Sequence, residues 1–267
     1  SRPSPRTNRT RLVPPPVLSG HVQVDAAHCY IATAWYAGGS LRAWREALGA
    51  DALAARLPLL LAVAAQVAEG VCALHEAGVV HYDLKCDNVL CQPRGCYGRE
   101  SGRGNGTGGR GAEAGEAGEE DPGFDAVLCD FGESKAYGAG EDGHTTRNRG
   151  TEFMKSPEML TVANASAKDR ATFDRRKQAG AGRASDVWGF GCLLYELLTG
   201  LVLFHDDDWI RFFIRVTSAA APEELLPPQR LAPLLAAPGG ALVVDLLRAI
   251  FIRDPVRRPC RTPPPSY

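Results

Sequence analysis

The hydrophobic positions fall into runs of different period, and the period names the element. Between residues 51 and 78, Leu57, Leu60, Leu61, Ala64, Val67, Ala68, Val71, Leu74 and His75 recur every three or four positions, the spacing that lines one face of a helix. The pattern predicts one long helix with Gly78 as its stop. Residues 186–198 are apolar on nearly every side (Val187, Trp188, Phe190, Cys192, Leu193, Leu194, Leu197), with Gly200 behind them; a helix apolar all round is a buried helix. Further helices are predicted at 209–216, behind the capping run Asp206-Asp207-Asp208, and at 242–252. Strand patterns are sparser. Residues 28–36 read as a strand that stops at Gly38-Gly39-Ser40, and Ser40 caps a short helix at 41–48. Val89-Leu90-Cys91 and 124–129 are short apolar runs, the second a strand.

Polar stretches punctuate this pattern. Residues 1–20 are rich in Pro and Arg and are predicted to be disordered. Residues 94–123 are Gly, Arg, Glu and Ala with almost no large apolar side chain, a low-complexity insertion. Residues 161–184 form a long polar loop carrying Lys168, Arg170, Arg175, Arg176, Lys177 and Arg183.

Composition narrows the classes. The chain has 267 residues, 45% of them apolar, enough for a real core. A net charge of −1 gives no reason to expect nucleic acid or an anionic membrane as a main partner. The longest apolar run, 57–65, is too short to span a bilayer, and the N-terminus lacks the apolar stretch of a signal peptide. The expectation is a soluble intracellular, cytoplasmic protein. Eight cysteines are scattered, most inside apolar runs, which suits buried reduced thiols rather than a disulfide framework. Cys86, Cys91 and Cys96 are evenly spaced but lack the tight pairs of a zinc site.

Between the long helix and the Val89 run lies His81-Tyr82-Asp83-Leu84-Lys85-Cys86-Asp87-Asn88. An acid is followed by a Lys two positions on and an Asn five positions on. In order behind it come Asp130-Phe131-Gly132, Ser156-Pro157-Glu158, Ser185-Asp186-Val187-Trp188-Gly189 and Asp254-Pro255 with Arg258-Pro259. The series resembles the eukaryotic protein kinases, whose catalytic loop reads His-Arg-Asp-Leu-x-x-x-x-Asn. Taken singly, Asp83 reads equally as a helix or turn cap, Asp130 as a turn residue before Gly132, and 28–36 as an ordinary strand and turn. Together with Lys85 and Asn88 they favour the catalytic reading.

The resemblance implies an α+β, protein-kinase-like fold, mainly the helical C-terminal lobe with a short hinge strand at its N-terminal edge, spanning 21–260, with 261–267 as a tail. It implies ATP and Mg²⁺ as cofactors and a protein substrate phosphorylated on Ser or Thr. Asp83 would accept or orient the substrate hydroxyl proton, and Lys85 would reach the transferring phosphoryl oxygens. Asn88 and Asp130 would offer Mg²⁺ the oxygen ligands it prefers. Thr33 would be the gatekeeper, Ala34, Trp35 and Tyr36 the hinge facing adenine, and Leu90 the floor beneath it. His81 and Phe131 would stack, Asp186 would anchor the catalytic loop, and Glu158 would pair with Arg258. Lys85 and Thr151 resemble the serine/threonine type, and the Ala-Ala-Arg or Arg-Ala-Ala insert of tyrosine kinases is absent.

Several features depart from the family. Ser156 stands where Ala is usual, and Tyr82 where Arg receives an activation-loop phosphate. Tyr82 cannot supply that cation, so activity is expected not to depend on loop phosphorylation in the usual way, although Ser134, Thr145 and Thr146 can be phosphorylated. Residues 1–27 contain neither a Gly-rich loop nor a Lys, which leaves most of the small lobe unaccounted for. With the missing initiator Met and the abrupt end at Tyr267, the expectation is a fragment that alone would not turn over ATP. The alternative is a pseudokinase or scaffold module. A small-molecule phosphotransferase fits less well, because that class lacks the Ser-Pro-Glu and Asp-Val-Trp-Gly segments.

Overall fold

The computed structural model describes residues 22–25, 28–31, 34–49, 52–94, 121–138, 145, 147–164, 181–218 and 225–259. The segments 1–20 and 261–267, Thr33, Thr146, Cys96, the interior of the insertion and most of the 161–184 loop lie outside the described residues.

The core is drawn from most of the helices, and the two longest pack at its centre. Helix α1 (Leu41–Ala47) opens on Ser40, whose hydroxyl accepts from the Ala43 N–H at 3.3 Å. Helix α2 (Ala52–Glu76) is the long predicted one, and its stripe of Leu57, Leu60, Ala64, Val67 and Val71 is buried. Arg56 leaves helical geometry at φ −135°, so Pro58 falls in the first turn of the main segment, where its missing N–H breaks no helical bond. Gly78 ends the helix at φ +75° with its N–H on the His75 carbonyl, 3.2 Å away. From Leu53 to Glu76 the helix is long and apolar enough to cross a membrane by length and composition alone, a test that the core helix of a folded domain also passes. Its apolar stripe belongs to the hydrophobic core.

Helices α3 (Pro157–Asn164) and α4 (Arg183–Thr199) follow, then α5 (Trp209–Thr217), α6 (Pro228–Ala236) and α7 (Gly240–Ile250). Helix α4 starts three residues before the predicted boundary and is buried along most of its length, with Trp188, Tyr195 and Leu193–Leu198 in the core. Its C-terminal carbonyls are taken up by Arg45, whose Nε donates to Leu197 at 2.6 Å and whose second amino nitrogen donates to Leu198 at 3.1 Å. A buried guanidinium thus satisfies acceptors that every helix end leaves open. Asp208 caps α5 through the Ile210 and Arg211 N–H groups, as the acidic run predicts. Helix α3 takes the first four residues of the stretch that reads as the 161–184 loop, and α6 lies where no element was predicted; each begins on a proline at the position where proline is tolerated.

The strands are short and form three antiparallel pairs. Strand β1 (Val22–Val24) pairs with β2 (Cys29–Ile31), β3 (Val79–Val80) with β6 (Lys135–Ala136), and β4 (Val89–Pro93) with β5 (Phe124–Leu128). The predicted 28–36 strand is therefore shorter. Beyond Ile31, residues 34–36 lead into a turn closed by the Gly39 N–H on the Tyr36 carbonyl, 3.2 Å away. The β4–β5 ladder closes directly over the low-complexity insertion. The Arg94 N–H donates to Gly123 at 3.1 Å, and the Arg94 guanidinium spans Asp121 and Asp125 at 2.6 and 2.8 Å.

Candidate active site

The candidate site is built on Asp186, in the first turn of α4 and 1% exposed. Its Oδ2 accepts the His81 N–H at 2.8 Å and its Oδ1 the Tyr82 N–H at 2.7 Å. His75 on α2 adds its Nε2 at 2.8 Å from Oδ2. One buried carboxylate therefore ties the loop after β3 to both central helices. That binding holds Tyr82 at φ +65°, a left-handed conformation that costs a non-glycine residue about 1–3 kcal/mol and persists only when its surroundings over-determine it. His75 was expected only as part of the apolar stripe; its position one turn before the helix stop, facing the core, was the available signal.

Asp83 follows, 7% exposed. Its Oδ2 lies 3.1 Å from Lys85 Nζ and accepts Asn88 Nδ2 at 2.9 Å, while Oδ1 accepts the Thr151 N–H at 2.7 Å. Lys85 Nζ also donates to Thr151 Oγ1 at 2.7 Å. Burial is the largest single influence on Asp83 and pushes its pKa up, but the hydrogen bonds from Thr151 and Lys85 together outweigh it and hold the carboxyl below the ordinary value. Asn88 Nδ2 donates a second bond to the Asp83 carbonyl at 2.8 Å, which fixes the amide and turns Oδ1 away from Asp83. Thr151 is a site residue that sequence reasoning used only to judge substrate class.

Asp130 enters through its neighbours. The Cys129 N–H donates to the Asn88 carbonyl at 2.9 Å, His81 Nε2 meets the Cys129 carbonyl at 3.0 Å, and the His81 and Phe131 rings lie 5.1 Å apart. The stack expected of His81 and Phe131 is present. Burial first, then the charge of Asp130, raises the Cys129 thiol, while Lys85 lowers it, leaving it at about 11. Asp130 and Lys85 thus act on one thiol from the two loops. Asp130 is exposed at φ +58° and accepts the Gly132 N–H on Oδ1 at 3.3 Å. Asn88 and Asp130 present hard oxygen donors of the kind Mg²⁺ takes. Among the described residues there is no group of three or more His, Cys, Asp or Glu that could hold a metal ion.

The residues expected to form the hinge follow β2. Ala34 and Trp35 are exposed, the latter to 88%, and Tyr36 is half-buried. They reach the floor through Gly39, whose carbonyl accepts the Cys91 N–H at 2.9 Å, and through the bridge between Ser40 and Leu90. Leu90 is half-buried on β4 beside them. Thr33 lies outside the described residues. The expected ion pair is bidentate: Arg258 donates to Glu158 Oε1 at 2.6 Å and Oε2 at 2.7 Å, and Ser185 Oγ adds 2.9 Å to Oε1.

The family described as protein kinase domain matches residues 21–262. The chain belongs to the protein kinase family. It is 45% identical over 210 residues to a probable serine/threonine-protein kinase of Dictyostelium discoideum, a match covering 76% of this chain and 8% of that protein. A putative cyclin-dependent kinase F-2 of Oryza sativa subsp. japonica is 30% identical over 52% of this chain and 29% of its own length. The ribosomal protein S6 kinase alpha-4 of Mus musculus is 28% identical over 69% of this chain and 17% of its own length. The chain spans less than a third of each of these relatives.

Proposed function

We propose that the protein is a serine/threonine protein kinase that transfers the γ-phosphoryl group of ATP to hydroxyls of a protein substrate. The observation that carries this reading is the Asp83 carboxylate, held by Asn88, Lys85 and the Thr151 N–H beside the turn that presents Asp130. The family's use of ATP and Mg²⁺, and a relative named as a probable serine/threonine-protein kinase, support it. The same reading makes it an intracellular protein, because ATP is its phosphoryl donor.

Phosphoryl transfer asks for alignment and charge neutralisation more than for covalent help. Asp83 orients the acceptor hydroxyl and takes its proton as the new O–P bond forms and the bond to the ADP oxygen breaks. A carboxylate held below its ordinary pKa is a weak base, so it serves chiefly to align the nucleophile and collects the proton late. Lys85 neutralises charge on the moving phosphoryl oxygens. Asn88 and Asp130 would hold magnesium, which when bound neutralises the triphosphate and orients it. Thr33, Ala34, Trp35, Tyr36 and Leu90 would border the adenine.

The test is a peptide-library assay on the protein at its full encoded length, with acceptors ending in Ser, Thr or Tyr and with Mg²⁺ present or chelated. Magnesium-dependent transfer to Ser and Thr peptides is expected. ATP binding without transfer to any acceptor would favour the scaffold reading, and transfer to Tyr alone would overturn the substrate class.

A further inference from the structure

Tyr82 occupies the family's arginine position, yet its side chain is 7% exposed and fully engaged. Its hydroxyl donates to the Ala181 carbonyl at 2.8 Å. A phenol has one proton, so the short contact between the Tyr82 and Tyr137 hydroxyls must be donated by Tyr137. The Ala181 carbonyl also accepts the Thr145 N–H at 2.9 Å. Thr145 is 6% exposed, and its Oγ1 accepts from Arg149 Nε at 3.3 Å and from the Arg147 N–H at 3.2 Å. The Arg149 guanidinium lies 5.9 Å from the centre of the Tyr82 ring, and its other arm donates to the Glu133 carbonyl at 2.7 Å. At Gly150, φ +83°, any side chain would overlap the Tyr82 carbonyl oxygen. A small apolar cluster of Val80, Tyr82, Met159 and Ala181, with Tyr137 and Val162 against it, surrounds the phenol and is distinct from the main core.

These contacts touch the activation segment just after Asp130-Phe131-Gly132, at Tyr137, and just before Thr151, at Thr145, Arg149 and Gly150. We propose that Tyr82, Tyr137 and Arg149 are positioning residues that hold the activation segment against the catalytic loop without a phosphate. The inference rests on the kinase reading and names how that site is kept assembled. The Tyr137–Tyr82–Ala181 chain supplies the link that a phosphate and an arginine would otherwise make. Arg149 places its cation on the same spot from the segment side. The effect reaches the chemistry through Gly150 and Thr151, whose N–H holds Asp83.

The test has two arms. In the full chain prepared free of phosphate, amide exchange at Thr145 and Thr151 is expected to accelerate about tenfold or more in Tyr82→Phe and in Tyr137→Phe, with α4 amides unchanged. Tyr82→Phe keeps the ring and its packing, so it removes only the hydroxyl link. In the protein at its full encoded length, wild-type kcat/KM is expected to stay within about twofold after treatment with a protein phosphatase, while Tyr82→Arg falls about tenfold or more on the same treatment. A hydroxyl with a merely structural role would not confer phosphate dependence on the arginine variant. Unchanged exchange in both phenylalanine variants would overturn the inference, as would a wild type that loses about tenfold or more on dephosphorylation. If instead no variant transfers phosphate in either state, the kinase reading fails while the exchange arm still decides the latch.

Discussion

The floor of the candidate cleft and its hinge edge are built in opposite ways. On the floor, Asp83 bonds to Lys85, Asn88 and the Thr151 N–H, Lys85 also bonds to Thr151, and the loop beneath them hangs on the buried Asp186. At the expected hinge, Trp35 is 88% exposed, and among the described residues a turn, the Gly39–Cys91 backbone bond and the Ser40–Leu90 bridge carry the chain to β4. The floor is organised by the protein itself, in advance of any substrate. The difference teaches where the sequence is tightly specified: groups that do chemistry need fixed geometry, whereas a backbone edge that meets a flat ring does not depend on its side chains.

The comparison breaks most visibly at Asp186. Asp186→Ala strands the buried N–H groups of His81 and Tyr82 and leaves His75 without its partner carboxylate. We expect a loss of about 3–5 kcal/mol, read by urea denaturation, together with loss of activity. Gly150→Ala is next. A methyl at positive φ driven into the Tyr82 carbonyl should cost about 1–3 kcal/mol, seen as lower Tm and faster proteolysis of the activation segment.

A subtler change sharpens the electrostatics of the floor. Asp83 is held below its ordinary pKa in the folded state, so its contribution to stability is complete above the unfolded value of about 4 and is lost as pH falls through the lower folded value. Lys85→Met removes one of the groups that outweigh burial, so the acid limb of a stability-against-pH curve should move to higher pH. Trp35→Ala should do least: within about 0.5 kcal/mol by denaturation, with little change in the KM for ATP. A large loss there would mean that the hinge is as tightly built as the floor.

Much of this was legible in the sequence because long periods and spaced motifs both survive reading one residue at a time. The α2 stripe, the all-round apolar α4 and the Asp208 cap follow from residue type and order, and the Glu158–Arg258 pair from the family resemblance alone. Helices α3 and α6 were not: 157–158 was read only as part of a motif, and 228–236, interrupted by Pro233, showed no pattern that was read as an element. The pairs β1–β2 and β3–β6 involve two or three residues each, too few to show a period. His75 looked like one more member of an apolar face, and only the fold brings it to Asp186. The loss of a cation at Tyr82 was plain, but Tyr137, 55 positions on, could not be seen to meet it without the β3–β6 pairing that carries it there.

The central claim is that Asp83, positioned by Asn88, Lys85 and Thr151, handles the acceptor hydroxyl. Single-turnover transfer from ATP to a Ser or Thr peptide, measured for the full-length protein and for Asp83→Asn, tests it most directly. The account predicts that the variant stays folded, with a somewhat lower Tm, and keeps its ATP affinity while its transfer rate falls about 10²–10⁴-fold. Equal rates in the two proteins would contradict it.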